Sequence, residues 1–179
     1  MMPFSLQADY LKNTDLKEGM AGWHGDGEAA FLNPDGTEGA EGDPNVIPVI
    51  KIALSKGSPR AVYQDYETRD NPKTLNFKVD IFASSDYQRS KSVNDYTPQL
   101  IDYPAGDFFL WNVIGICNVD FWIRAGPDWH YKLAQATVGA WVTVDYKFTN
   151  AFDAENRSVY FCVPPGEGTL YLKNPSVTP

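Results

Sequence analysis

The chain has 179 residues, 43% apolar and 14% aromatic, with 23 acidic against 15 basic side chains and a formal charge of −8. That length and apolar fraction suit one domain, 1–179, which buries about two-thirds of the surface its unfolded form would expose. The acidic balance excludes nucleic-acid or anionic-membrane binding through a general basic field. No apolar run reaches the about 20 residues of a membrane-crossing helix, so no membrane insertion is expected.

The opening MMPFSLQADY has no basic segment followed by a long apolar one, so no intact signal peptide is read there. LQADYLKN is the first candidate strand. FLNPDGTEGAEGDPN follows as a Gly-rich loop carrying Asp35, Glu38, Glu41 and Asp43. Its acids do not alternate as an EF-hand loop requires, which makes it an exposed acidic turn. VIPVIKIAL and RAVYQDYE are the next strands, separated by the turn SKGSP. In TLNFKVDIFAS, Leu75, Phe77, Val79 and Ile81 share one face, and Asn76, Lys78 and Asp80 share the other.

A long polar excursion, ASSDYQRSKSVNDYTPQLIDYPAG, comes next, and such loops are uncommon in compact domains unless functional or mobile. GDFFLWNV, NVDFWIR and WHYKLA are read as strands, the last two joined by the turn AGPD. AWVTVDYKFTN alternates Val142, Val144, Tyr146 and Phe148 against Thr143, Asp145 and Lys147. RSVYFCV and GTLYLKN close the series around the turn PPGEG. No segment carries a helical period. Many short strands punctuated by Gly, Pro and Asn predict an all-β antiparallel sandwich, a jelly roll. Cys117 and Cys162 permit one disulfide, but both lie in apolar strand-like runs where buried free thiols are common.

The stretch VDFWIRAGPDWHYKL carries the first candidate site. Alternation sends Val119, Phe121 and Ile123 to the core and Asp120, Trp122 and Arg124 to the opposite face. An outward indole flanked by an acid and a guanidinium suits a sugar: the ring stacks on the C–H face of a pyranose and the charged groups bond its hydroxyls. Across the turn, Trp129, His130, Tyr131 and Lys132 alternate, so polar groups are expected to converge on the same region. A second candidate comprises Tyr87, Arg89 and Tyr96 in the polar excursion, with Asp86 and Lys91 nearby, as one wall of a cleft. Trp23 and His24 form a third, with Trp23 read as core. Trp141 is read as structural, and Trp111 fits either face.

Catalytic motifs are missing. His24 and His130 are the two histidines, and there is no G-x-S-x-G elbow, HExxH or recognisable Cys–His context. A lyase using His130, Tyr131 and Arg124 is chemically conceivable, the arginine neutralising a uronate while His or Tyr removes a proton. It ranks below binding, and no catalytic residue is assigned.

Two terminal stretches carry a family resemblance. LKNTDLKEGMAGW resembles the first strand of carbohydrate-binding modules with a galactose-binding-like jelly roll, with Asn13, Asp15, Leu16, Gly19, Gly22 and Trp23 at the matching places. LYLKNPSVT resembles that family's last strand. The resemblance implies non-catalytic binding of a polysaccharide or oligosaccharide by an extracellular or periplasmic domain. The family often holds a structural calcium between acids on these two strands, but those places here read Lys17 and Lys173. An ammonium cannot ligate a hard cation, so neither metal nor cofactor is expected, and a Lys173 salt bridge to Asp15 or Glu18 would tether the strands instead. The ligand-binding residues expected are therefore Asp120, Trp122, Arg124, Trp129, His130, Tyr87 and Arg89. The alternative is a self-associating extracellular jelly-roll subunit, because Tyr and Trp also dominate protein interfaces.

Overall fold

The computed structural model describes residues 9–68, 72–90, 120–125, 130–149 and 156–179. Trp129, Trp111, Tyr96, Lys91 and Cys117 lie outside these residues. Two short strands open the chain, β1 (His24–Gly25) and β2 (Glu28–Leu32), followed by β3 (Ile47–Ala53), β4 (Arg60–Glu67) and β5 (Thr74–Ala83). A two-residue β6 (Gln88–Arg89) precedes β7 (Phe121–Ala125), β8 (His130–Ala134) and β9 (Trp141–Thr149). The chain ends with β10 (Asn156–Val163), β11 (Gly166–Glu167) and β12 (Thr169–Thr178).

One five-stranded sheet runs β1-β4-β10-β7-β8 and the other β2-β3-β12-β5-β9, with β11 and β6 pairing separately. Every ladder between named strands is antiparallel. The pairing is nested: β3 lies beside β12 and β4 beside β10, so early strands are hydrogen-bonded to late ones in both sheets. Successive strands wrap from one sheet to the other in this way in a jelly roll.

Period-two patterning builds the core as expected. Leu75, Phe77, Val79 and Ile81 of β5 are fully buried against Phe121 and Ile123 of β7, Val159 and Phe161 of β10, and Leu170 and Leu172 of β12. A smaller apolar cluster, Leu32, Val49, Phe82 and Tyr171, forms on the outer face of the second sheet. The acidic loop folds back there: Gly36 sits at φ +86°, where a Cβ would approach Phe82 Cζ to 2.6 Å. Glu38 of that loop pairs with Lys51 at 2.8 Å. The loop is therefore anchored, although all four of its acids remain exposed.

Among the described residues, two expected strands are absent at the N-terminal end. Residues 9–12 and the family-like stretch 13–22 form bends and turns instead. Asn13 (φ 51°) and Leu16 (φ 58°) adopt left-handed backbone there. The Asn13 amide donates to the carbonyls of Gly19 at 2.8 Å and Ala21 at 3.0 Å, which stitches the turns together. Local amide-to-backbone bonds of this kind compete with a strand ladder. Trp23 is buried against Phe161, with ring centroids 5.9 Å apart, as its core reading anticipated.

Candidate functional site

The central expectation, an indole turned to solvent, is overturned. Asp120, Trp122 and Arg124 are only 5%, 5% and 2% exposed. Alternation does put Trp122 and Arg124 on the outer face of β7, opposite Phe121 and Ile123. It identifies the face and says nothing about what lies over it. Register places Trp122 between Cys162 of β10 and Leu133 of β8, and Arg124 beside Tyr160. The Arg124 guanidinium lies over the Tyr160 ring, 5.1 Å from its centroid.

The β7–β8 register sets His130 opposite Ala125, a core position, and sets position 131 opposite Arg124. His130 and Arg124 thus occupy register positions on opposite faces of the sheet.

The loop candidate and the strand candidate, read separately from the sequence, meet at Asp120. Its Oδ1 accepts from the Tyr87 hydroxyl at 2.7 Å and from Arg89 Nη1 at 2.5 Å. Its Oδ2 accepts from the Ala136 amide at 3.0 Å. Burial, and the hydrogen bond to the Asp120 carboxylate, push the Tyr87 phenol far above its ordinary range. Asp120 therefore joins β6, the start of β7 and the segment after β8. Its lone pairs are committed to the fold, which leaves it poorly placed to serve a ligand. Arg89 borders a cleft of about 460 Å³, whose lining includes Lys56, Gln88 and Glu167. Lys56 and Glu167 are paired at 2.6 Å across it.

A different set of rings lies on the same outer face, nearer its β1 edge. The β1–β4 register sets His24 opposite Tyr63, and the β4–β10 register sets Tyr63 opposite Tyr160. Ring centroids are 5.4 Å apart for His24–Tyr63 and 4.7 Å for Tyr63–Tyr160, the latter stacked with planes 20° apart. His24 is exposed and the two tyrosines half-buried. The ladder thus runs across three strands and ends at Arg124 on the fourth. Burial pushes the Tyr160 phenol up, an effect partly offset by the Arg124 cation. One register step away, Ser158 donates to Asp65 at 2.5 Å, adding hydrogen-bonding groups beside the rings.

Tyr63 and Tyr160 were not singled out from the sequence, although the signal was present. RAVYQDYE alternates Tyr63 against the core residues Val62 and Tyr66, and RSVYFCV alternates Tyr160 against Val159 and Phe161. The rule that flagged Trp122 applied equally to both tyrosines. What the sequence lacked was the register that sets them side by side.

Near the termini, Lys173 does not form the expected bridge to Asp15 or Glu18. Its ammonium lies 4.1 Å from the centroid of the Trp141 ring. Among the described residues no group of three or more His, Cys, Asp or Glu side chains is arranged to hold a metal ion. Cys162 is buried, and Cys117, with which the sequence permits a disulfide, lies outside the described residues.

No protein-family model and no curated protein matches the chain in sequence. Solved structures do match in fold. A family 61 carbohydrate-binding module in complex with β-1,4-galactotriose superposes with a TM-score of 0.57 at 9% identity, covering 95% of this chain and 97% of that one. A family 16 carbohydrate-binding module gives 0.53 at 12%, covering 96% and 100%. The enzymatically active domain of bacteriophage CBA120 tailspike protein 4 gives 0.59 at 7%, but only 21% of that chain is covered. The architecture of this chain is the β-sandwich jelly roll found in carbohydrate-binding modules.

Proposed function

We propose that the protein is a non-catalytic glycan-binding module of an exported protein, and that it holds its ligand on the outer face of the β1-β4-β10-β7-β8 sheet along His24, Tyr63 and Tyr160. The observation that carries this reading is the partly exposed cross-strand ladder, with ring centroids 5.4 and 4.7 Å apart. Partly exposed aromatics in a row offer apolar ring surface to sugar C–H groups, and phenol hydroxyls and the imidazole supply hydrogen bonds. Asp65 and Ser158 add an acceptor and a hydroxyl alongside. A module of the same fold has been solved with β-1,4-galactotriose, and a xylanase fragment that joins a family 22 module to a GH10 module, 28% of which this chain covers, has been solved with xylohexaose, so these two oligosaccharides are the first probes.

Calorimetric titration with both probes tests the proposal. Binding that is lost in the Tyr63→Ala, Tyr160→Ala double variant, with the fold intact by circular dichroism, supports the site. Binding that survives the double variant unchanged moves the ligand elsewhere, with the Arg89 cleft as the next place to examine.

A further inference from the structure

Among the described residues, the two large sheets end in the edge strands β1, β8, β2 and β9. β1 is two residues long and β8 five. The open side of β2 is taken up by its own acidic loop, where Gly39 donates to the Phe31 carbonyl at 2.9 Å and Leu32 bridges Glu38. β9 is nine residues long, and its register with β5 runs unbroken from Thr149 opposite Thr74 to Trp141 opposite Phe82. It contains neither proline nor bulge, and among the described residues no backbone hydrogen bond reaches its open side. Thr143, Asp145, Lys147 and Thr149 are exposed along it. A long, straight edge of this kind is a template for another strand, and proteins ordinarily block it.

The sequence of β9 complements itself. A two-fold axis through one of its residues pairs positions of the same parity, so the outward N–H and C=O groups of one copy meet those of the other. An axis at Asp145 sets that carboxylate against its own copy, and an axis at Val144 sets Lys147 against Trp141. An axis at Tyr146 sets Asp145 against Lys147 on both sides, Thr143 against Thr149, and Val144 against Phe148. Opposite charges and paired threonines directly across a ladder stabilise it, and like charges do the reverse. Asp145 already faces Lys78 of β5, so the second copy's Lys147 would extend a row of alternating sign. Lys147 blunts this edge against an unrelated strand, whereas a second β9 neutralises it. We propose that two copies of the chain associate by antiparallel β9–β9 pairing about an axis at Tyr146, joining their sheets edge to edge. Tyr63 and Tyr160 belong to the other sheet, so each copy keeps its own ring ladder.

Sedimentation equilibrium of the wild-type protein, over a concentration series reaching about 1 mM, is the first measurement. The mass is expected to move from the 20.0 kDa of one chain toward twice that value as concentration rises. Asp145→Lys and Lys147→Asp each put like charges across the axis and are expected to weaken association at least ~10-fold. An equimolar mixture of the two variants restores opposite charges at both pairs, so it is expected to associate as the wild type does. Such recovery also shows that neither variant lost association by misfolding. A wild-type protein that keeps one chain's mass throughout overturns the proposal. So does association that neither variant weakens, or a mixture that stays as weak as its components. Glycan binding enters none of these measurements.

Discussion

Tyr87 donates its hydroxyl to Asp120 at 2.7 Å across 33 residues of sequence, and the same carboxylate oxygen receives Arg89. The Asp120 and Arg89 side chains are only 8% and 24% exposed. Removing one partner of a buried ion pair strands the other charge, at a cost of about 3–5 kcal/mol. Asp120→Ala is expected to lower the unfolding free energy by that order in denaturant titration. Tyr87→Phe, which removes one neutral donor, is expected to cost less, about 1–2 kcal/mol. Equal effects from the two variants would show that Arg89 contributes nothing to the node.

Alkaline pH acts through the same tyrosine. Burial raises the folded-state pKa of both Tyr66 and Tyr87 above the ordinary phenol value. The unfolded chain releases those protons near pH ~10, where the native state still holds them. Stability is therefore full below pH ~10 and falls as pH climbs past it, because the unfolded state then binds fewer protons than the native one. Tyr87→Phe should flatten this decline while starting from a lower stability. The measurement is unfolding free energy against pH, alongside ultraviolet titration of the phenols.

At the ladder, stability and binding should separate. A stacked aromatic pair contributes about 0.5–1.5 kcal/mol beyond its area burial, so Tyr63→Ala or Tyr160→Ala alone should leave a folded protein. Binding to the glycan probes is expected to weaken at least ~10-fold in each, corresponding to about 1.4 kcal/mol. Unimpaired binding with lowered stability would make the rings merely structural.

Gly25 gives a backbone test of the same site. It sits at φ +101° beside His24, and a Cβ there would lie 2.3 Å from the Ala61 carbonyl oxygen. Neither atom belongs to a flexible side chain, so β1 must shift to admit alanine. Gly25→Ala is expected to cost about 1–3 kcal/mol and to reduce glycan affinity by moving His24 off Tyr63. Gly42, at φ +88° with nothing within 4 Å, is the control: Gly42→Ala carries a strain cost and leaves affinity unchanged.

Lys173 tests the metal expectation. With its ammonium over Trp141 at 4.1 Å, Lys173→Met should cost about 0.5–1 kcal/mol, the range of an exposed cation–π contact. Chelator or millimolar calcium should leave the thermal midpoint of the wild-type protein unmoved. A calcium-dependent rise in midpoint would place a cation site on the chain despite the lysines.

Fold class was legible because the inner face of each long strand repeats with period two: Leu75, Phe77, Val79 and Ile81 needed only alternation to be placed. The N-terminal turns were assigned to a strand through the family resemblance, although Asn13, Asp15, Gly19 and Gly22 are residue types that turns favour. Asp120, Trp122 and Arg124 were assigned to the correct face and to the wrong environment. Exposure depends on what other segments place above a strand, and a single strand carries no information about that. Tyr63 and Tyr160 are 97 positions apart and become neighbours only through the β4–β10 register. Nothing local to either residue encodes that pairing.

The position of β12 has a consequence for how the chain is made. It is the last strand described, and it lies in the middle of its sheet between β3 and β5. Until its ten residues have left the ribosome, β3 and β5 have no common partner, and the backbone edges that β12 joins stay unpaired. Folding dominated by such distant pairings is slow. Nascent chains stalled before β12 should accordingly be protease-sensitive over their whole length, and release of the C-terminal strand should convert them to the resistant form in a single step.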